Sequence, residues 1–245
     1  MRLAIVTGGS RGLGAELCQQ LAEQGYELIE FSRSAPYSFS QYIDLADPLL
    51  SAERVAKALL HFKDVTLDEV LMINNAGVLD PIGVAMNYSP HQLLANLNAN
   101  FCSAILIISE VIRTFQAHSC QKRIANISSG AANKGYAGWS LYCASKAGME
   151  NFVASVAMEQ KHQAQAFDVI NIDPGVMDTE MQATIRTVNE VDFPDVARFI
   201  QRKETGGLIA PAQTAKAVIQ IVQLATLDAG SRYVAADYFA NSIEV

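Results

Sequence analysis

Three side chains of this 245-residue chain could together move a proton onto or off a carbonyl oxygen: Ser129, Tyr142 and Lys146. The first closes the stretch Asn126-Ile127-Ser128-Ser129; the other two lie in Trp139-Ser140-Leu141-Tyr142-Cys143-Ala144-Ser145-Lys146-Ala147-Gly148. A Tyr four residues before a Lys, opening an Ala-rich segment, shares a helix face with it. A free phenol, with a pKa of about 10, is a poor proton donor or acceptor at neutral pH. A cation one turn away favours the phenolate and so suits the Tyr to general acid–base work. A Ser129 hydroxyl delivered from a strand end could then hold the oxygen that receives the proton. Taken alone, Tyr-x-x-x-Lys fits a solvated helix face equally well, so its meaning depends on what lies upstream.

Upstream, the apolar run Leu3 to Val6 leads into Thr7-Gly8-Gly9-Ser10-Arg11-Gly12-Leu13-Gly14. A helical pattern follows, with Leu13, Leu17, Leu21 and Ala22 on one face and a stop at Gly25. Strand, glycine turn and helix in that order are the setting of a dinucleotide fingerprint. Glycines let backbone approach a diphosphate, and helix N-terminal N–H groups favour its charge. The spacing is Gly-x-x-x-Gly-x-Gly, and the bland alternative is a flexible turn. The next strand, 27–31, ends at Ser32-Arg33-Ser34. An acid there would bind the free 2′-hydroxyl of NAD, whereas an Arg accommodates the 2′-phosphate of NADP. Arg33, with Arg11 in the glycine loop, therefore favours NADP, since guanidinium groups match phosphate oxygens; the alternative is two ordinary surface cations.

These motifs resemble the short-chain dehydrogenase/reductase family over essentially the whole chain. The resemblance rests on Thr7 to Gly14, Asp44-Leu45, Asn74-Asn75-Ala76-Gly77, Asn100, Ser129, Tyr142, Lys146 and Asp173-Pro174-Gly175, in the family's order, with its thirteen-residue step from Ser129 to Tyr142. Gly138-Trp139-x-Leu141-Tyr142-Cys143-Ala144 and Pro174-Gly175-x-x-Asp178-Thr179-x-Met181-Gln182 look like the sepiapterin reductase branch, and Asn126 to Ala132 with Gly175 to Arg186 like its bacterial benzil reductases. The resemblance implies a cofactor site of Gly8, Ser10, Gly12, Leu13 and Gly14 at the diphosphate, with Arg11, Ser32, Arg33 and Ser34 on the adenosine side at the 2′-phosphate. Asp44 and Leu45 would meet the adenine, and Asn74, Ala76 and Gly77 the adenosine ribose. Lys146 would hold the nicotinamide ribose, and Pro174, Gly175, Val176, Asp178, Thr179 and Met181 would cover the nicotinamide and its phosphate. Asn100 would be the fourth catalytic residue, bending a helix and holding a relay water; Asn98 is a rival, but Ser103 and the run to Ile108 fit the family register better from Asn100.

One departure stands out. Only ten residues separate Arg33 from Asp44, Pro36 among them. A βαβ crossover needs a dozen or more, so the helix is expected to be missing or reduced to a turn, leaving the adenosine edge open.

The elements that must position these residues follow from periodicity. Apolar β-rich segments at 3–6, 27–31, 70–74, 123–128 and 167–172 alternate with helical patterns at 12–24, 48–62, 90–117, 139–161 and 211–226. Asp44 is expected to close a third strand, and Arg232 to Ala235 to add the last. The expectation is an α/β fold: a single-domain Rossmann fold over 1–245, a doubly wound parallel sheet with helices on both faces. Ligands should lie beyond the carboxyl ends of the strands. Residues 178–211, carrying Met181, Ile185, Phe193, Phe199 and Ile200, read as a substrate lid or as two ordinary packing helices. With Trp139 they make Ser129, Trp139, Tyr142, Met181, Phe193 and Phe199 the candidate substrate residues.

Composition narrows the partners. A net charge of −7 argues against nucleic acid and anionic membranes. No apolar run approaches the roughly 18–20 residues that span a bilayer, and Met1-Arg2-Leu3 leads straight into a strand without signal-peptide architecture, so a cytoplasmic location is expected. Cys18, Cys102, Cys120 and Cys143 lack metal or disulfide spacing, and the four histidines are scattered. The resemblance implies pairing through 90–117 and 139–161 into a homodimer or homotetramer. The expected activity is NADPH-dependent reduction of an apolar, aromatic ketone or vicinal diketone. The alternatives are a sepiapterin reductase with Asp237 as polar anchor, an NAD(P)-dependent alcohol dehydrogenase, and a non-enzymatic NADP-sensing regulator.

Overall fold

The computed structural model describes residues 1–239. Among them seven strands form one parallel sheet: β1 (Arg2–Thr7), β2 (Glu27–Ser32), β3 (Ser40–Tyr42), β4 (Glu69–Asn74), β5 (Gln121–Ile127), β6 (Asp168–Asp173) and β7 (Arg232–Val234). Their order is β3-β2-β1-β4-β5-β6-β7. The chain reverses its direction of travel between β1 and β4, and a cleft opens at the carboxyl ends there.

Strand alternation divides the interior in two. Leu3 and Ile5 of β1, Val70 and Met72 of β4, and Ile124 of β5 face one side. There they meet α2 (Pro48–Leu59), α4 (Ser103–Phe115) and α5 (Ser140–Gln160). Ala4, Val6, Leu71, Ile73, Ala125 and Ile127 face the other side. There Leu13, Leu17 and Leu21 of α1 (Gly12–Glu23) and Val218, Ile221 and Val222 of α8 (Pro211–Val222) cover them. Both faces are dry, as an all-parallel sheet requires.

The local chemistry of the helix starts is ordinary and legible. Asp47 caps α2 by accepting from the Leu50 N–H at 3.1 Å, with Pro48 in the first turn. Ser89 and Gln92 form a capping box at the start of α3 (Pro90–Leu97). From there α3 runs through a π-helical turn, Asn98–Cys102, into α4.

One expectation is corrected here. The third strand ends at Tyr42; Asp44 lies in the loop beyond, where its carbonyl accepts from Asp47 N and Ser51 Oγ, so turn hydrogen bonds replace the ladder. Crossover 34–43 is, as expected, without a helix; Tyr37 and Phe39 stack there with ring centroids 4.8 Å apart. The helix expected over 90–117 is found as the continuous helix Pro90–Phe115, which is long and apolar enough by length and composition to cross a bilayer. Its apolar face is instead spent on the sheet, through Ile107, Ile108, Val111 and Phe115.

Candidate active site

The floor of the cleft is a row of buried polar side chains at the strand ends. Thr7, Asn74, Asn126 and Asn171 stand opposite one another in register across β1, β4, β5 and β6. Thr7 Oγ1 donates to Asn74 Oδ1 at 3.2 Å, Asn74 Nδ2 to Asn126 Oδ1 at 2.9 Å, and Asn126 Nδ2 to Asn171 Oδ1 at 2.8 Å. Asn171 Nδ2 reaches the Glu150 carbonyl at 3.3 Å and so ties the row to α5. Each amide donates and accepts, so burial leaves no orphan in the chain of bonds.

Ser129 follows β5 in extended backbone and caps the next turn, accepting from Ala131 N at 3.2 Å. Tyr142, in the first turn of α5, is 8% exposed and Lys146 is 7% exposed. Burial pushes the Tyr142 phenol up to about 12; the neighbouring Ser129 hydroxyl works against that rise. Burial also holds the Lys146 ammonium down to about 8, against the pull of the Glu150 carboxylate. Desolvation outweighs the neighbours that favour the phenolate, and the Lys146 ammonium donates to the Ile127 carbonyl at 2.7 Å. Tyr142 is a protonated donor at neutral pH.

Asn100 sits in the π-helical turn with its amide fully used. Its Nδ2 donates to the Val78 and Asn96 oxygens at 2.8 and 3.1 Å, and its Oδ1 accepts from Val78 N at 2.8 Å. A Cβ on Gly77 would lie 3.3 Å from Asn100 Oδ1 and 3.8 Å from Lys146 Nζ, so these three residues border one space. Asn98 instead donates to the Ala46 carbonyl at 3.0 Å, on the α2 side. The structure thus brings Ser129, Tyr142, Lys146 and Asn100 to one corner and leaves Asn98 outside it.

The glycine loop has the shape of a diphosphate cradle. Gly8 and Gly12 have positive φ, and a Cβ on Gly14 would stand 2.0 Å from the Gly8 carbonyl oxygen. α1 starts at Arg11 with no side-chain cap, which leaves its first N–H groups for a ligand. Beneath the loop lies a residue that the sequence reading missed. Glu30 is fully buried and accepts from Gly9 N at 2.9 Å and from Ser40 Oγ at 2.6 Å. Its signal was an acid within an otherwise apolar strand. Ser32 is turned inward, bonded to Glu30 and to Ala35 N, while Arg33 and Ser34 are exposed at the end of β2. Arg11 does not join Arg33; it pairs with Glu180 across the cleft. Asp44 is exposed and Leu45 half-buried, with the Leu45 carbonyl accepting from Ser103 Oγ at 2.7 Å. Ala76 N donates to Thr7 Oγ1 at 3.1 Å.

The segment 178–211 folds as α6 (Glu180–Ile185) and α7 (Val196–Glu204). Its ends are joined where Met177 and Ile209 form a parallel bridge, with Asp178 N donating to Ile209 O at 2.9 Å. Thr179 caps α6, its methyl 3.4 Å from where a Gly12 Cβ would be, and Asp178 pairs with Lys203 at 2.6 Å. Pro174 is buried; Gly175, with positive φ, is exposed, and Val176 is half-buried. Trp139 and Phe193, expected to face substrate, are 6% and 0% exposed and stack on each other with centroids 4.4 Å apart. They form the contact that seats the segment on α5, with Phe199 edge-on to Trp139 at 5.3 Å. Met181, 36% exposed, and the half-buried Phe199 and Tyr136 keep accessible apolar surface.

A tyrosine donor, a buried lysine and a glycine cradle occupy the switch point of a 3-2-1-4-5-6-7 parallel sheet, and residues 2–190 match the short chain dehydrogenase family. The chain belongs to that family. A benzil reductase ((S)-benzoin forming) of Bacillus subtilis (strain 168) is 36% identical over 232 residues, covering 92% of this chain and 95% of the relative. A sepiapterin reductase of Xenopus tropicalis is 26% identical over 243 residues, covering 90% and 91%. Among solved structures, the KRED1-Pglu enzyme superposes with a TM-score of 0.80 at 25% identity, covering 95% of this chain and all of that one. This short chain dehydrogenase is an NAD(P)-dependent oxidoreductase acting on carbonyl or CH–OH groups.

Proposed function

We propose that the protein is an NADPH-dependent reductase of bulky apolar ketones, above all aromatic ketones and vicinal diketones of the benzil kind. The observation that carries this reading is a buried, protonated Tyr142 beside the Ser129 hydroxyl, under a segment whose Met181 and Phe199 keep accessible apolar surface, as does Tyr136 in the loop before α5. The 36% identity to a benzil reductase over nearly the full length of both chains supports the substrate class.

In this reading Ser129, Tyr142, Lys146 and Asn100 are the catalytic set. The Ser129 and Tyr142 hydroxyls hold the carbonyl oxygen in place. A reduced nicotinamide, when bound, supplies the hydride for the carbonyl carbon. Tyr142 gives its proton to the oxygen, and an alkoxide is a stronger base than the tyrosinate left behind, so the transfer runs downhill. Lys146, charged below about pH 8, stabilises that tyrosinate and holds the ribose hydroxyls. Asn100 fixes the Val78 loop and the π-helical turn beside Lys146, where a water would return the proton. The protein contributes position and electrostatics.

NADPH is preferred in this reading because Arg33 is exposed at the end of β2 with no ion pair among the described residues, while the nearest acid, Glu30, is consumed by the glycine loop. Ser34 stands exposed beside Arg33. Asp237, exposed in the turn after β7, favours a second reading as a pterin reductase, in line with the likeness to sepiapterin reductase. We also place the protein in the cytoplasm as a homodimer or homotetramer; Leu94 of α3 and Met158 of α5 are exposed on the helices expected to pair. Turnover of benzil, sepiapterin, short aliphatic ketones and sugars, each with NADPH and NADH, tests the proposal. Sugars or aliphatic ketones as the best substrates by kcat/KM would overturn it.

A further inference from the structure

Behind Ser129 and Lys146 lies a cluster of charges that the chemistry above does not use. Glu150 of α5 continues the line Tyr142–Lys146 by one more turn, and its Oε1 accepts from both Ser128 Oγ and Arg232 Nη1. Arg232, at the start of β7, donates from Nη2 to Asp173 Oδ2 at 2.7 Å and to the Ser129 carbonyl at 3.2 Å. All three side chains are mostly buried, each 19% exposed. One guanidinium thus clamps the residue after β5, the end of β6 and the catalytic helix together, reaching Ser129 from 103 residues away in sequence.

The fork of Arg232 satisfies two carboxylates and a carbonyl at once, a task for which a lysine has no matching geometry. With Lys146, the cluster holds two cations and two carboxylates, so its charges cancel. Around Lys146 the groups that face it are Tyr142 and Glu150 from α5, the Ile127 carbonyl from β5 and the neutral Asn100 from the π-helical turn; Asp173 and Arg232 stand behind Glu150.

We propose that Arg232 and Glu150 are positioning residues for the reduction: Arg232 aims Ser129 by holding its backbone, and Glu150, one helical turn beyond Lys146 and tied to Arg232, supplies the counter-charge to its ammonium. The inference rests on the catalytic reading of Ser129, Tyr142 and Lys146. It requires that removing either partner unbalances the cluster in opposite senses. Glu150→Gln leaves Lys146 without its carboxylate, so its proton is lost at lower pH. Arg232→Met leaves two carboxylates against the single Lys146 cation, so the proton is kept to higher pH, while a loosened Ser129 lowers kcat more than it raises KM.

The test is the pH dependence, between pH 6 and 10, of NADPH affinity by cofactor fluorescence and of kcat for benzil. In the wild type both should fall as pH rises through about 8. The falling limb should move down by about one pH unit in Glu150→Gln and up by a similar amount in Arg232→Met, the size expected of a nearby charge. Glu150→Asp should return the limb to the wild-type position. Circular dichroism and thermal melts identify variants that fail to fold, and Glu150→Ala and Arg232→Gln, which remove the same charges, then carry the comparison. Limbs that coincide in all variants, limbs that move the same way, or a wild type flat through this range overturn the proposal. Near-wild-type turnover by Tyr142→Phe would instead overturn the catalytic reading, and the two failures are distinct because the affinity measurement does not require Tyr142.

Discussion

Gly138 and Asp192 approach so closely that a Cβ on the glycine would stand 2.2 Å from the Asp192 carbonyl oxygen. The same glycine has φ +87° and accepts from Gly83 N at 3.0 Å, so it joins the entry to α5, the loop after β4 and the segment over the site. Gly138→Ala should cost about 1–2 kcal/mol for the backbone alone, and the clash should push segment 178–211 away from α5. We expect KM for aryl ketones to rise severalfold with little change in NADPH affinity. Unchanged kinetics would show that the contact is not needed for substrate binding.

Tyr142→Phe removes the proton donor and keeps the ring that Trp139 meets edge-on at 6.0 Å. Turnover should fall by at least about a hundredfold, the usual scale of acid catalysis, while NADPH binding persists. Single-turnover kinetics and fluorescence titration separate the two effects.

Arg33→Ala should weaken NADPH and leave NADH almost untouched. Loss of one charge-assisted pair is worth about 1.5–3 kcal/mol, roughly ten- to a hundredfold in affinity. Arg11→Ala should act differently, because Arg11 pairs with Glu180. Equal NADPH affinities in wild type and Arg33→Ala would remove the basis for the NADPH preference.

Trp139 fills space between Phe193, Phe199 and Tyr142, and its indole N–H is buried without a partner among the described residues. Trp139→Ala should therefore destabilise by about 3–5 kcal/mol, the cost of emptying a core site, and Trp139→Phe by much less. Thermal melts of the pair check this; equal losses would mean that the indole N–H matters after all.

Lys146 should set an alkaline limit on activity. Its ordinary value near 10.5 is lowered to about 8, so its charge is present below pH 8 and lost above it. Reductive turnover should fall through that window. Stability should not fall with it, because between the two values the unfolded chain binds more protons and this group makes folding more favourable as pH rises. Parallel pH series of kcat and melting temperature test the sign.

Much of this was legible in the residues themselves. Strands at 3–6 and 70–74 and helices at 12–24 and 139–161 lie within a residue or two of the elements found, because both their periodicity and their stop signals are local. Ser129, Tyr142, Lys146 and Asn100 meet because each sits at a strand end or on a helix that the topology brings to one corner. The strength of burial was not legible: Tyr142 looked like a phenol tuned by its lysine, and only the packed neighbourhood shows desolvation winning. Trp139 and Phe193 looked like pocket walls because large apolar residues near a site read alike whether they face a ligand or each other. Glu30, Asn126, Asn171, Glu150 and Arg232 were missed because each acts through partners far away in sequence.

The bridge between Met177 and Ile209 has an evolutionary consequence. It brings the two ends of the segment over the site side by side at the rim of the sheet, so everything between them is an insert on a closed base. The amide row and the corner of Ser129, Tyr142, Lys146 and Asn100 are complete without it, in β1, β4, β5 and the residues after it, β6, α5 and the π-helical turn. Exchange of the insert for another that keeps the Phe193 seat on Trp139 should therefore change which carbonyl compounds are accepted while the residues beneath it stay in place.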